Sequence, residues 1–424
     1  MAKSEQSNEQ RGDSPRTGSP AGPRLQRGVF GAVMRPLQAF LELEAASGVL
    51  LLLAATCALV WANVHAESYL LLVEYPIAVG TSSAQAQFTV AELVNDGLMT
   101  LFFFVVGMEI KRELAVGELD TVPKALLPAI AAVGGMIVPA GIFLAFNWGA
   151  PGQRGWGIPV ATDIAFCVGV LTLLQKRVPR ALTVFVTALA IFDDIGGILV
   201  IALFYGHAID VAWLLAATGV SVILAIFNWR YVRNGVAYAV VGAALWYAVH
   251  RSGIHATIAG VVIGFMIPAR PPRPSREVIG ELEDLEAPVH RFVHLWHPYV
   301  AYLIMPLFAL VNSGVSLRGA SPSTLATPVA LGVALGLLLG KQLGIFTSAA
   351  LTVRLGLAPM PGRAPSSKLY GVSIVAGIGF TVSLFIATLA FGDDPLLLAQ
   401  AKTGILVGSL ASGIFGAIFL RLAG

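Results

Sequence analysis

Charge is what this 424-residue chain lacks. Charged residues make up 12% of it, about half the share of an ordinary soluble domain, against 56% hydrophobic residues. So little charge would not keep a soluble domain dispersed, so most of the chain must face lipid or other apolar helices. The net charge is only +3, with basic residues scattered over many segments, which argues against a nucleic-acid partner. Cysteine is scarce as well. Cys57 and Cys167 stand far apart in apolar runs, excluding a disulfide framework and a metal-ligand spacing; both are expected to be free, buried thiols. Residues 1–28 lack any apolar run and are polar, rich in Pro, Gly and Ser, and mixed in charge. That excludes a cleaved secretory leader and predicts a disordered cytoplasmic tail over about 1–35.

What the chain does have is a succession of apolar stretches of the length a membrane helix needs, roughly 17–25 residues. They run at about 45–64, 93–110, 125–147, 156–175, 181–205, 211–228, 235–250, 253–268, 297–314, 327–351, 369–391 and 402–420. The expected fold is therefore all-α and polytopic, with twelve transmembrane helices. The pair over 235–268 is short and interrupted by His250, Arg251 and Gly253; the loop at 268–296 is the longest break. The stretch 75–90, YPIAVGTSSAQAQFTV, alternates around a Gly-Thr-Ser turn and predicts a small extracellular β-hairpin. With twelve spans, all 27 Lys and Arg residues except Arg154, Arg251, Arg318, Lys341 and Lys402 fall on the amino-terminal side. The positive-inside rule then places both termini in the cytoplasm of a bacterial inner membrane.

Two segments repeat. DIAFCVGV at 163–170 matches GIGFTVSL at 377–384, and Gly141-Ile142-Phe143 is echoed by Gly344-Ile345-Phe346. The copies, about 125–205 and 327–420, stand seven helices apart. An odd spacing reverses their orientation, the inverted repeat of many secondary transporters, which place their binding sites at the midplane on interrupted helices.

Four charged residues fall deep inside spans, away from their ends: Asp163 in VATDIAF, Asp193 and Asp194 in ALAIFDDIGGILV, and Lys341 in LLLGKQLGI. Each costs about 2.5–3.5 kcal/mol at the bilayer centre, roughly 10–14 kcal/mol together, comparable to a whole folding free energy. A structural salt bridge accounts for Lys341 and one aspartate. Three carboxylates against one ammonium still leave two negative charges unmatched, and in low dielectric protons or a hard cation must fill that gap. Na⁺ or Li⁺ suits carboxylate and carbonyl oxygens. Proton and cation then compete for one site, and alternating access to it makes an exchanger. Adjacent helical residues point about 100° apart, so one of Asp193 and Asp194 faces the cation and the other a neighbouring helix, with Lys341 as its candidate partner. Asp163 follows Thr162 in a segment bracketed by Gly157, Pro159 and Gly169, and its counterpart carries Gly371, Gly377 and Gly379. Glycine at this density suits helices that unwind where they cross, with Asp163 neutralising positive helix ends and Lys341 negative ones; close helix packing explains each glycine singly as well.

These residues together resemble the NhaA family of bacterial sodium/proton antiporters, itself a standard example of inverted repeats. The likeness covers about 36–422 and rests on an ordered set: WANV at 61–64, LVNDGLM at 93–99, FFFVVGMEIKREL at 102–114 and PAIAAVGGMIVPA at 128–140. VATDIAFCVGVL at 160–171, ALAIFDDIGGI at 188–198 and SGIHATIAGV at 252–261 follow, then HPYVAYLIMPLFALVNSGVSL at 297–317 and GIGFTVSLFIATLAF at 377–391. The resemblance implies pH-regulated exchange of Na⁺ or Li⁺ for H⁺, without a cofactor, and the deficit of two positive charges argues that the exchange is electrogenic. It implies a cation held by Asp194 with Asp193, a further site at Thr162 and Asp163, and Lys341 as partner of Asp193. It also implies a role in pH response for Asp96, Glu109, Glu113 and His255; His294 and His297, near a cytoplasmic boundary, are further candidates. A homodimer with the 75–90 hairpin at its contact is implied too. Two departures stand out: Gln342 where the family often has proline, suggesting a less kinked helix, and Val293 where a family pattern has glutamate.

Rival classes leave traces that are missing or untested. An intramembrane aspartyl protease would carry Tyr-Asp on one helix and Gly-x-Gly-Asp on the next, but Thr162 precedes Asp163 and Phe192 precedes Asp193. A sodium symporter would add an organic solute. A passive channel has no use for titratable carboxylates across its barrier.

Overall fold

A computed structural model describes residues 46–423 apart from 82–83, 118, 207, 270–286 and 317–325. The expected tail, most of the 268–296 loop and Arg318 lie outside the described residues. The hairpin is there: β1 (Pro76–Thr81) pairs antiparallel with β2 (Ala84–Thr89), Pro76 opposite Thr89. It is preceded by α1 (Ala46–Val64) and a short α2 (Ala66–Val73), and followed by α3 (Val90–Val116). A capping box starts α3: Thr89 Oγ1 accepts the Glu92 N–H at 3.1 Å and the Glu92 carboxylate accepts the Thr89 N–H at 2.8 Å.

The rest is helical. α4 (Val122–Asn147) leads into a 3₁₀ segment (Pro151–Val160) and α5 (Ile164–Leu173); α6 (Arg180–Phe204), α7 (Val211–Trp229), α8 (Gly235–Arg251) and α9 (Thr257–Met266) follow. Then come α10 (Pro288–Asn312), α11 (Pro328–Arg354), α12 (Ser366–Val375), α13 (Phe380–Phe391) and α14 (Pro395–Leu422). Side chains fix many of the starts: Asp210, Asn234, Thr327 and Asp394 each accept a first-turn N–H of the helix that follows.

The protein is an all-α polytopic membrane protein. Among the described residues eight helices are long and apolar enough to cross a bilayer, and ten if each of two bent pairs is one span. The two weakest expected spans are the short helices α8 and α9. At ten residues α9 reaches only about 15 Å, half the hydrocarbon core. Outward faces carry the apolar side chains expected against lipid, such as Leu52, Leu53 and Val60 on α1 and Val211, Leu215 and Val222 on α7. Cys57 lies on that outward face of α1 and is exposed, contrary to expectation; Cys167 is buried. Hydropathy cannot tell an apolar position facing lipid from one facing protein.

Close backbone approach sets the interior. On α4 and α11 a side chain at Gly344 would run into the Gly134 carbonyl, and a Cβ at Gly340 would lie 2.6 Å from Pro139 Cα. This contact brings Lys341 deep among its neighbours. α9 packs on α3 in the same way, through Gly107, Gly260 and Gly264. Lys111 then donates to the carbonyls of Phe265 at 2.7 Å and Ile267 at 2.5 Å, capping the end of α9. At the far end of α10, the Tyr69 hydroxyl lies 3.0 Å from the Leu310 carbonyl and 2.7 Å from that of Val311. Burial pushes this phenol up to about 12, so it stays a donor across the physiological range.

Candidate functional site

Two breaks meet at the centre. The 3₁₀ segment and α5 are bent by 43° and α12 and α13 by 46°, and the non-helical links between them touch. Asp163 N donates to the Ile378 carbonyl at 2.7 Å, and Cys167 Sγ to that of Val375 at 3.2 Å. The wholly buried Asp163 is the cap of α5, its Oδ1 accepting the Phe166 N–H at 3.2 Å. Its Oδ2 accepts from Thr381 twice, from N at 3.1 Å and from Oγ1 at 2.5 Å, in the first turn of α13. One carboxylate therefore serves two helix N-termini. Each terminus carries roughly half a positive charge, so the two together about balance it.

The sequence offers Lys341 both for the negative helix ends and as the partner of Asp193. Those carbonyls are served by Thr162 and Cys167, and the ammonium finds a full opposite charge nearer by. Its Nζ lies 2.6 Å from Asp193 Oδ2, with neither side chain exposed. The same oxygen lies 2.6 Å from Thr162 Oγ1, which also sits 3.0 Å from the Ala376 carbonyl, so one hydroxyl proton is shared between Asp193 and the break. Asp193 Oδ1 is buried without a hydrogen bond. Gln342 is buried beside Lys341 on a helix that runs unbroken through this point, with a π-turn at Gly336–Gly340 just before it.

Asp194 is different. It is buried, and its carboxyl makes no hydrogen bond or ion pair among the described residues. With Asp163 balanced by helix ends and Asp193 by Lys341, one negative charge remains, on Asp194, where the sequence count left two. A cavity of about 520 Å³, reaching Glu113 on α3, runs along the α6 stripe Arg180, Thr183, Val184, Thr187, Ala188 and Ile191. Asp194 lies one turn beyond Ile191 on that stripe, while Asp193 points about 100° away. A second cavity, also about 520 Å³, is lined by Val200 toward the other end of α6 and by Trp156 and Val160 of the 3₁₀ segment. The aspartates lie between the two along the helix.

Of the other expected residues, Glu113 lines the first cavity and the charge of Glu109 acts on Asp194. His255 Nε2 is 3.6 Å from Asp96 Oδ1, and its Nδ1 is 2.9 Å from Thr257 Oγ1. Asp96 sits in a π-turn of α3, Leu93–Leu98. Glu109 pairs with His297 at 3.0 Å and Glu113 with Arg112 at 3.0 Å. His294 is exposed on α10 and makes no such pair among the described residues, and Val293 is buried. Sequence reasoning missed Thr381, Cys167 and Ser409. Ser409 Oγ accepts the N–H groups of Gly379 at 3.3 Å and Phe380 at 3.2 Å. Only Thr381 and Cys167 left a trace, as members of the repeated motif.

Crossed broken helices around a fully buried lysine–aspartate pair, with a further buried carboxylate between two cavities, define the class of ion-coupled secondary transporters with midplane sites. The sequence model described as Na⁺/H⁺ antiporter 1 matches residues 38–420, and the chain belongs to that family. It is 56% identical to the Na(+)/H(+) antiporter NhaA of Anaeromyxobacter sp. (strain Fw109-5), across 93% of each chain. It is 54% identical to Na(+)/H(+) antiporter NhaA 1 of Myxococcus xanthus (strain DK1622), across 93% of this chain and 94% of the other. Na(+)/H(+) antiporter NhaA of Serratia proteamaculans (strain 568) is 47% identical over 91% of this chain and 98% of its own.

Proposed function

We propose that the protein exchanges Na⁺ or Li⁺ for H⁺ across a bacterial inner membrane by alternating access, in sodium and pH homeostasis. The observation that carries this is Asp194: a carboxyl on a buried residue, with no hydrogen bond or ion pair among the described residues, one turn beyond the end of a cavity. Such a group is stable only when it holds a proton or a cation, and it cannot hold both. Asp193 joins it when its pair with Lys341 opens, so that two carboxylates serve one monovalent ion. Releasing more than one proton for that ion makes the exchange electrogenic. Thr162 follows Asp193 through their shared proton, and Asp163 keeps the two helix ends in place while the rest moves. Four elements, from α4 through the first bent pair to α6, and from α11 through the second to α14, form the inverted repeats that rock about this centre.

Asp96 with His255, Glu109 with His297, and Glu113 are the groups through which pH acts. The distribution of Lys and Arg supports cytoplasmic termini, and the β1–β2 hairpin is the contact of a homodimer. The test is relaxation of a pH gradient in proteoliposomes on adding Na⁺, Li⁺ or K⁺ separately. Collapse with Na⁺ or Li⁺ is expected. A gradient that survives every cation at every pH would remove the reading.

A further inference from the structure

We infer that Ser409 of the carboxy-terminal helix is a positioning residue for cation exchange: by capping α13 from outside, its hydroxyl sets the α12–α13 break and, through it, the affinity of the aspartate site. This deepens the exchange reading and rests on it.

α13 cannot cap itself. Its N-cap residue is Gly379, and a Cβ there would lie 2.7 Å from Leu337 Cδ2 and 2.9 Å from the Ala161 carbonyl oxygen. The acceptor for the first N–H groups must come from another element, because buried orphan donors are costly. Ser409 supplies it. Its buried hydroxyl accepts from both Gly379 and Phe380, and the next N–H, that of Thr381, goes to Asp163. Of these three N–H groups, a neutral oxygen thus takes two and the charged carboxylate takes one.

The mount is rigid. On α14, a Cβ at Gly404 would meet the Ala330 carbonyl oxygen at 2.6 Å, and one at Gly408 would meet Ala334 Cα at 3.0 Å. The two backbones are therefore seated directly on each other, and Ser409 is fixed to α11, the helix that carries Lys341. On its other side the same link, Ala376–Gly379, offers its carbonyls to Thr162 and Asp163, and Thr162 touches the Asp193 oxygen that holds Lys341. A shift of the link is passed to the cation site within two hydrogen bonds. Without Ser409, the Gly379 and Phe380 N–H groups lose the acceptor they share, and the link is free to shift against Thr162 and Asp163. The groups displaced are ground-state ligands, so affinity changes more than turnover.

Ser412 provides the control. It lies one turn further along α14, also buried, with a hydroxyl that makes no hydrogen bond among the described residues. The experiment is a Na⁺ and Li⁺ titration of gradient collapse in proteoliposomes of the full chain, comparing wild type with Ser409→Ala, Ser409→Thr, Ser409→Cys and Ser412→Ala. Ser409→Ala is expected to raise KM about fivefold, the factor for about one net hydrogen bond, at a maximal rate within about twofold of wild type. Ser409→Thr keeps the hydroxyl and restores KM; Ser409→Cys, a weaker acceptor, falls between; Ser412→Ala leaves KM unchanged. A wild-type KM in Ser409→Ala overturns the inference, and so does an equal rise in Ser412→Ala. Where Ser409→Ala fails to insert, Ser409→Cys decides, since a KM equal to wild type there overturns it too. A wild-type protein that collapses no gradient overturns the exchange reading and this inference together.

Discussion

Two regions of this molecule bring acids and bases together at nearly the same distance and in different surroundings. At the crossing, Lys341 and Asp193 are 2.6 Å apart with no side-chain exposure; at the end of α3, Arg112 and Glu113 are 3.0 Å apart with exposures of 30% and 19%. Glu109 and His297, also 3.0 Å apart, keep 26% and 60%. Water makes the difference. Around α3 each charge is partly hydrated whether or not its partner is present, so such pairs are worth about 0–1 kcal/mol. At the crossing the partner is the only solvent, and removing one member of a buried pair costs about 3–5 kcal/mol. The first region is where charge does chemistry, and the second is where charge can respond to conditions without threatening the fold.

The largest expected effect breaks the crossing at its unbalanced charge. Asp194→Asn keeps the size and removes the charge that must be filled by proton or cation, so cation-driven proton flux falls to background. Because Asp194 makes no hydrogen bond or ion pair among the described residues, the variant inserts and folds, with a Tm at or above that of wild type. Retained flux would place the exchanging group elsewhere. Next comes the ion pair. Lys341→Ala leaves a buried carboxylate with Thr162 alone and lowers stability by about 3–5 kcal/mol, whereas the double variant Lys341→Met with Asp193→Asn recovers most of the loss. Thermal unfolding in detergent measures both. A double variant no more stable than Lys341→Ala would mean that the lysine acts through something other than Asp193.

The same contrast explains what the sequence revealed. The buried charges were legible because hydropathy makes them conspicuous, and the break at Asp163 was legible from Gly157, Pro159 and Gly169 around it. The hairpin showed through its alternation. The acceptors that finish the crossing did not show, because a serine in a membrane helix carries no sign of which backbone it will meet. Ser409 caps Gly379 and Phe380 across the fold, and Ser412, one turn away, caps nothing. Helix α10 was expected from 297 and begins at Pro288, since His290, Arg291, His294 and His297 depress its hydropathy. α9 came out shorter than expected because Gly253, at φ +86°, turns the chain and leaves His255 outside the helix. For the serines the missing information was tertiary; for the two helix ends it was local polarity and local backbone conformation.

Smaller effects belong to the hydrated region. Arg112→Ala should change stability by no more than about 0.5 kcal/mol, since its partner Glu113 stays in contact with water; a loss as large as that of Lys341→Ala would erase the distinction between the two regions.

The smallest change in stability, well within about 0.5 kcal/mol, is expected for His297→Gln, and its interest lies in pH. The Glu109–His297 contact is ionic while the imidazole is protonated and only a hydrogen bond once it is neutral. Whatever attraction it adds between α3 and α10 is therefore present at low pH and lost as pH rises. If this attraction holds the exchanger back, His297→Gln removes the restraint at every pH, and the midpoint of activation moves to lower pH with the maximal rate kept. His294→Gln, three residues away on the same helix and exposed, with no ion pair among the described residues, leaves the midpoint where it was. Gradient relaxation measured from about pH 6 to about pH 9, the range in which an imidazole titrates, separates them. A midpoint unmoved by His297→Gln would mean that pH acts elsewhere, with Asp96 and His255 next in line. Equal shifts from both histidines would point to the net charge of α10 rather than to a paired contact.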